Sequence, residues 1–153
     1  MNLEKLILSS DAEGVDIIDR QFNSERIKGL YCDGTVALNN MLSDTEKICV
    51  LAEELGHYHT TVGDIIDLNN AVNRKQELRA RLWGYDKLIG LSGIVSCYRA
   101  GCQSLFEMAE HLDVTEEYLK EALDRYRSKY GIYTRIDNYV IYFEPSLAVF
   151  EAF

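Results

Sequence analysis

The sequence predicts an α+β protein that is mainly helical, with a small antiparallel sheet ahead of a central helix and a C-terminal helical unit closed by a β-hairpin. Three observations lead there. Apolar residues recur at helical spacing in a run that opens at Ser43 and in another that closes at Leu88. An Asp33-Gly34 pair stands between two short β-prone runs. The same pattern returns near the C-terminus, around Asp137-Asn138.

Taken in order, Leu3, Leu6 and Ile7 share one helical face, and the spacing predicts a first helix over 2–10, broken between Asp11 and Gly14. Val15 to Ile18 reads as a strand. Gly29–Cys32 and Thr35–Leu38 read as a hairpin, because Asp-Gly suits the type I′ turn that joins twisted strands. Ser43-Asp44-Thr45-Glu46 is a capping box, and the helix it opens buries Ile48, Leu51, Ala52 and Leu55. Thr60 to Asp64, β-branched and glycine-containing, should end that helix. The next helix runs from Leu68 or Val72 to Leu88, with Leu78, Leu82 and Tyr85 as its apolar stripe and Ala80 and Trp83 adding contacts. Gly90 to Gly93 breaks the chain before a short helix over 94–100. Ser104 to Glu107 caps another, with Phe106, Met108, Ala109 and Leu112 on its apolar side. Thr115 caps a longer one, from Glu116 to Tyr130. Ile132–Ile136 and Tyr139–Phe143 then pair as a hairpin, ended by Pro145, and the apolar tail with Leu147, Val149, Phe150 and Phe153 should dock.

Composition limits the function classes. A formal charge of −9 opposes a protein that wraps nucleic acid through its phosphates. The helix-turn-helix-like stretch over 107–119 is a poor DNA reader, because Glu116 and Glu117 open its second helix. No apolar run approaches eighteen residues and no basic-then-apolar leader is present, so neither a membrane span nor a secretory signal is expected. Cys32, Cys49, Cys97 and Cys102 have no metal-site spacing and read as reduced residues of a cytoplasmic protein, Cys49 in the core.

The chemistry sits in Leu51-Ala52-Glu53-Glu54-Leu55-Gly56-His57-Tyr58-His59. At about 100° per residue, Glu53, Glu54 and His57 fall inside one arc opposite the apolar stripe. Two carboxylates and an imidazole on one face suit a metal-hydrolase helix: some groups hold a cation and the remaining carboxylate moves a proton. His59 lies about 200° round the helix from His57 and reads as a surface or packed residue. His111 reads as a surface residue of the C-terminal unit, and Asp64 and Asp67 as residues of the following loop.

The segment Ala52–Tyr58 resembles the Ala-His-Glu-Leu-Gly-His-Tyr core of the ImmA/IrrE family of metallo-endopeptidases, a zincin group, with Glu53 in place of the first His. Glu77-Leu78-Arg79-Ala80-Arg81-Leu82-Trp83-Gly84 is similar to the family's Glu-x-x-Ala-x-x-Phe-Ala helix. The resemblance implies a zincin-like core over 1–90, with residues 91–153 packed on it in one compact domain. It also implies that Glu53, His57 and Glu77 bind a zinc-type metal and that Glu54 is the catalytic general base. Ala80, one turn from Glu77, would let the second helix come close enough for Glu77 to reach the metal, with Arg74 or Arg79 assisting. One imidazole and two carboxylates form a harder set than two imidazoles and one carboxylate, open to manganese or another divalent cation. The sheet would lie beside the cleft and pair with an extended substrate. By the same resemblance, the substrate is a phage or mobile-element helix-turn-helix repressor, which this chain either cleaves or, as an antirepressor, binds stoichiometrically. No nucleic acid and no membrane is implied as a direct partner.

Overall fold

The structure, a computed structural model, describes residues 1–60 and 70–152, with side chains for all of these except 70–72. The chain divides into two compact units, 1–87 and 88–153.

In the first unit, α1 (Leu3–Ala12) starts at Asn2, whose side chain accepts the Lys5 N–H. It runs two residues past the predicted end, and the Val15 N–H closes back onto the Ser10 carbonyl. Three strands follow: β1 (Asp16–Arg20), β2 (Gly29–Cys32) and β3 (Thr35–Asn39). β2 and β3 form the expected antiparallel hairpin, and φ of 47° at Asp33 and 80° at Gly34 fits the type I′ turn. β1 lies on the other side of β3 and runs parallel to it, so the sheet order is β1-β3-β2 and the sheet is mixed. The connection over 21–28 carries the chain past the place β3 will take. Buried Asn39 fastens that crossing: its side chain donates to the Ile27 carbonyl and accepts from the Met41 N–H.

α2 (Asp44–Thr60) opens on the predicted capping box, in both directions. Glu46 N–H donates to Ser43 Oγ at 3.1 Å, and Ser43 N–H to Glu46 Oε1 at 3.2 Å. Ile48, Leu51, Ala52 and Leu55 are buried as expected, with Leu6, Val15, Val36 and Leu38 also in this unit's core. The expected helix end beyond Thr60, with Asp64 and Asp67, lies outside the described residues.

α3 (Asn70–Leu88) buries Tyr85 and Ala80 as expected but not all of the apolar stripe its spacing indicates. Leu78 is 37% exposed, whereas Ala80 is wholly buried and Gly84 and Tyr85 are also inside. The reason is steric. A Cβ built on Gly56 of α2 would stand 2.1 Å from the Ala80 carbonyl oxygen. Backbone therefore meets backbone at this crossing, and small residues rather than leucines occupy it.

The second unit begins at Leu88. Its first helix, α4 (Gly90–Arg99), includes the glycines expected to break the chain; the break is at Ile89–Gly90, where Gly90 has φ 64°. Gly90 N–H donates to the hydroxyl of Tyr126, which is fully buried. α5 (Leu105–Leu112) and α6 (Glu116–Tyr130) start at the predicted caps Ser104 and Thr115. Phe106, placed on the apolar side by its spacing, is 57% exposed, while Met108, Ala109 and Leu112 are buried. β4 (Tyr133–Ile136) and β5 (Tyr139–Tyr142) form the expected hairpin. Part of the apolar tail pairs as a third strand, β6 (Ala148–Glu151), antiparallel to β5, with Phe150 57% exposed; Phe153 lies outside the described residues. Among the described residues no helix is long and apolar enough to cross a membrane.

Replacing Gly56 by alanine should lower stability by about 3 kcal/mol, despite alanine's better helix propensity of about 1 kcal/mol, because neither backbone can yield cheaply. Urea unfolding with an unchanged m-value measures it; a neutral or stabilising result would contradict the close crossing.

Candidate metal centre

α2 and α3 bring together the side chains that the sequence singles out. One ligand atom each from Glu53, His57 and Glu77 lies within 4.8 Å of the others. His57 Nε2 is 3.5 Å from Glu77 Oε2. Donors about 2.0–2.2 Å from a tetrahedral ion are roughly 3.4 Å apart, so the imidazole and one carboxylate already have such spacing. The remaining carboxylate needs a movement of about an ångström, within reach of a partly exposed glutamate rotamer. Two carboxylates and an imidazole are hard to borderline donors, and a divalent cation fits this group.

Glu54 stands one position on from Glu53, turned towards the sheet. A Cβ on Gly29 of β2 would lie 3.6 Å from Glu54 Cγ and only 2.6 Å from Val50, so the strand approaches the helix closely where Glu54 emerges. Burial first, then the nearby Glu53 and Glu77 charges, raise the Glu54 carboxyl from its ordinary 4.5 to about 7. A carboxylate poised near neutrality can both take and return a proton.

Arg81 stands against the acidic group. Its Nε lies 3.5 Å from Glu53 Oε1. The local alternative, an Arg81 pair with Glu77 on its own helix, gives way to a contact across the helix crossing. Spacing along one chain segment cannot reveal such a contact. His59 is in a separate cluster, as its angle round the helix indicates. Its Nε2 is 2.8 Å from Glu13 Oε2, and its ring stacks on Trp83 at 4.5 Å. Tyr58 and Tyr31 extend this aromatic group, their centroids 5.9 Å apart.

A group able to hold a cation on two crossed helices, with a carboxylate of raised proton affinity beside it and a sheet along the flank, is the arrangement a metallohydrolase requires. Residues 10–124 match the model of the IrrE N-terminal-like domain, a peptidase family, and the chain belongs to that family. The family is metallopeptidase-like, which agrees with the group assembled here. The match stops inside α6, so the β4-β5-β6 sheet lies beyond it. No curated protein and no solved structure matched the chain.

The raised Glu54 carboxyl has a consequence for the metal-free protein. Folding retains a proton on Glu54 that the unfolded chain releases near pH 4.5, so this contribution is full below that pH and is lost as pH rises through about 7. Glu54→Gln should therefore stabilise the chelator-treated protein by about 2 kcal/mol at pH 8 and by less than about 1 kcal/mol at pH 5. Denaturant titrations at the two pH values test this; equal shifts would contradict it.

Proposed function

We propose that the chain is a metal-dependent endopeptidase with a narrow protein substrate, a helix-turn-helix repressor of a phage or mobile element. The observation that carries the reading is the convergence of Glu53, His57 and Glu77 beside a Glu54 of raised proton affinity. Glu53, His57 and Glu77 would hold the ion, zinc or another divalent cation. When bound, the ion supplies Lewis acidity that polarises a peptide carbonyl.

The chain's own residues do the rest. Glu54 takes a proton from the attacking water and delivers it to the leaving amine, which departs neutral. Burial of that carboxylate, where β2 comes close to α2, keeps its proton affinity high. Among the described residues β2 is an edge strand, since the sheet order is β1-β3-β2, and its outer side would offer backbone donors and acceptors to an extended substrate segment. The substrate's identity rests on the family resemblance and on a site too acidic for a nucleic-acid phosphate.

One observation favours a second reading: Arg81 is on the Glu53 carboxylate, at the position where the resemblance would put the family's first metal-binding His. A guanidinium there competes with a cation for the same oxygens. In that reading the chain is an antirepressor that grips the repressor without cutting it.

Two measurements separate the readings. For an endopeptidase, Glu54→Gln should cut repressor cleavage by about 10²-fold or more, read as fragments by mass spectrometry, while co-purification with the repressor persists. For an antirepressor, the wild type and Glu54→Gln should release the repressor from its operator equally, with no fragments. Separately, Glu53→His should tighten zinc binding by about tenfold or more in a calorimetric titration. An unchanged affinity would remove Glu53 from the ligand set.

A further inference from the structure

α4 ends in a turn that places two cysteines against each other. Arg99 is its last residue, Ala100 the cap, and Gly101 follows with φ 80°. The Gly101 N–H donates to the Tyr98 carbonyl and the Cys102 N–H to the Cys97 carbonyl, each at 3.0 Å. This pair of bonds is the Schellman motif, which needs a left-handed residue at the Gly101 position. The motif brings the side chain three positions inside the helix end into contact with the one two positions beyond the cap. Apolar residues usually make that contact. Here Cys97 and Cys102 hold those two positions, and both line the same cavity.

The two sulfurs differ in access. Cys97 is 2% exposed, and its thiol points to the Met108 carbonyl at 3.9 Å. Cys102 is partly exposed and points to the neighbouring Glu107 carbonyl at 3.7 Å. Both line a cavity of about 260 Å³ that Ile94, Met108, Leu147 and Val149 help to form. Cys32 and Cys49 belong to the other unit, on β2 and within α2.

We infer that Cys97 and Cys102 are a reversible dithiol–disulfide pair, a modification site for hydroperoxides built into the C-terminal cap of α4. The bond from Cys102 N–H to Cys97 C=O draws the two backbones together, which favours closure by rotation of side chains over movement of the chain. Cys102, the accessible sulfur, reacts first. Its thiolate attacks a peroxide oxygen; the S–O bond forms, the O–O bond breaks, and the departing oxygen leaves as water after taking a proton. Cys97 then attacks the sulfenic sulfur. The S–S bond forms, the S–O bond breaks, and the leaving hydroxide takes the Cys97 proton as a second water. Two thiols are oxidised and one hydrogen peroxide is reduced to two waters. Burial, then the neighbouring Cys102, push the Cys97 thiol up to about 12, which suits it to resolve rather than initiate. A small dithiol reverses the reaction by exchange at Cys102.

The test uses the full, reduced chain with chelator present, treated with equimolar hydrogen peroxide, quenched with N-ethylmaleimide and mapped by peptide mass spectrometry. The expected product is about 2 Da lighter, links Cys97 to Cys102, and forms at least about tenfold faster than any change at Cys32 or Cys49. Dithiothreitol should restore four alkylatable thiols. Cys97→Ser should stop at a dimedone-reactive Cys102, whereas Cys102→Ser should leave Cys97 unoxidised. Oxidation of Cys32 first, with Cys97 and Cys102 both recovered alkylated, would overturn the inference from the wild-type map alone. So would equal reactivity of the two serine variants.

Discussion

The crossing of α2 and α3 at Gly56 and Ala80 is the constraint on which the candidate site depends. Because no side chain separates the backbones there, Glu77, three positions before Ala80, comes level with His57, the residue after Gly56. A side chain on Gly56 would separate the helices and take the acidic groups of α3 away from those of α2. The hydrophobic stripe of α2 serves the same end from the other side. Burial of Ile48, Leu51, Ala52 and Leu55 fixes the rotation of the helix, which presents Glu53, Glu54 and His57 on the opposite arc.

That geometry concentrates negative charge. Glu53, Glu54 and Glu77 share one site with one imidazole and, at its margin, the Arg81 guanidinium. Like charges in a partly desolvated place must be relieved, and there are two ways to do so here. A divalent cation balances the cluster directly. Without one, the raised proton affinity of Glu54 and an ion pair from Arg81 to Glu53 ease the repulsion. The same three carboxylates thus support both the peptidase and the antirepressor readings, and the cation's hold on Glu53 against Arg81 decides between them.

What was legible in the sequence is what nearby residues determine. The capping box at Ser43 and Glu46, the caps at Ser104 and Thr115, and the turn at Asp33-Gly34 each depend on chemistry within about four positions. The grouping of Glu53 and His57 follows from helix periodicity alone, and Glu77 joined them through a family resemblance that the match over residues 10–124 supports. The rest needed tertiary structure. β1 pairs parallel to β3 because a loop crosses the sheet, and β6 adds to β5 because an apolar tail requires a partner. Leu78 is exposed although its spacing put it on the apolar stripe, and Arg81 bonds across helices rather than along one. The meeting of Cys97 and Cys102 was readable in principle. A glycine one position beyond a helix cap signals a Schellman motif, and the side chains it joins are five positions apart.

The central claim is that side chains from two crossed helices share one cation. Crystals grown without chelator and soaked in zinc, measured on both sides of the zinc absorption edge, test it most directly. The account predicts a single anomalous peak within bonding distance of His57 and Glu77, with Glu53 turned from Arg81 to complete the set. Absence of a peak at saturating zinc, with Arg81 still on Glu53, or a peak elsewhere on the surface, would contradict it.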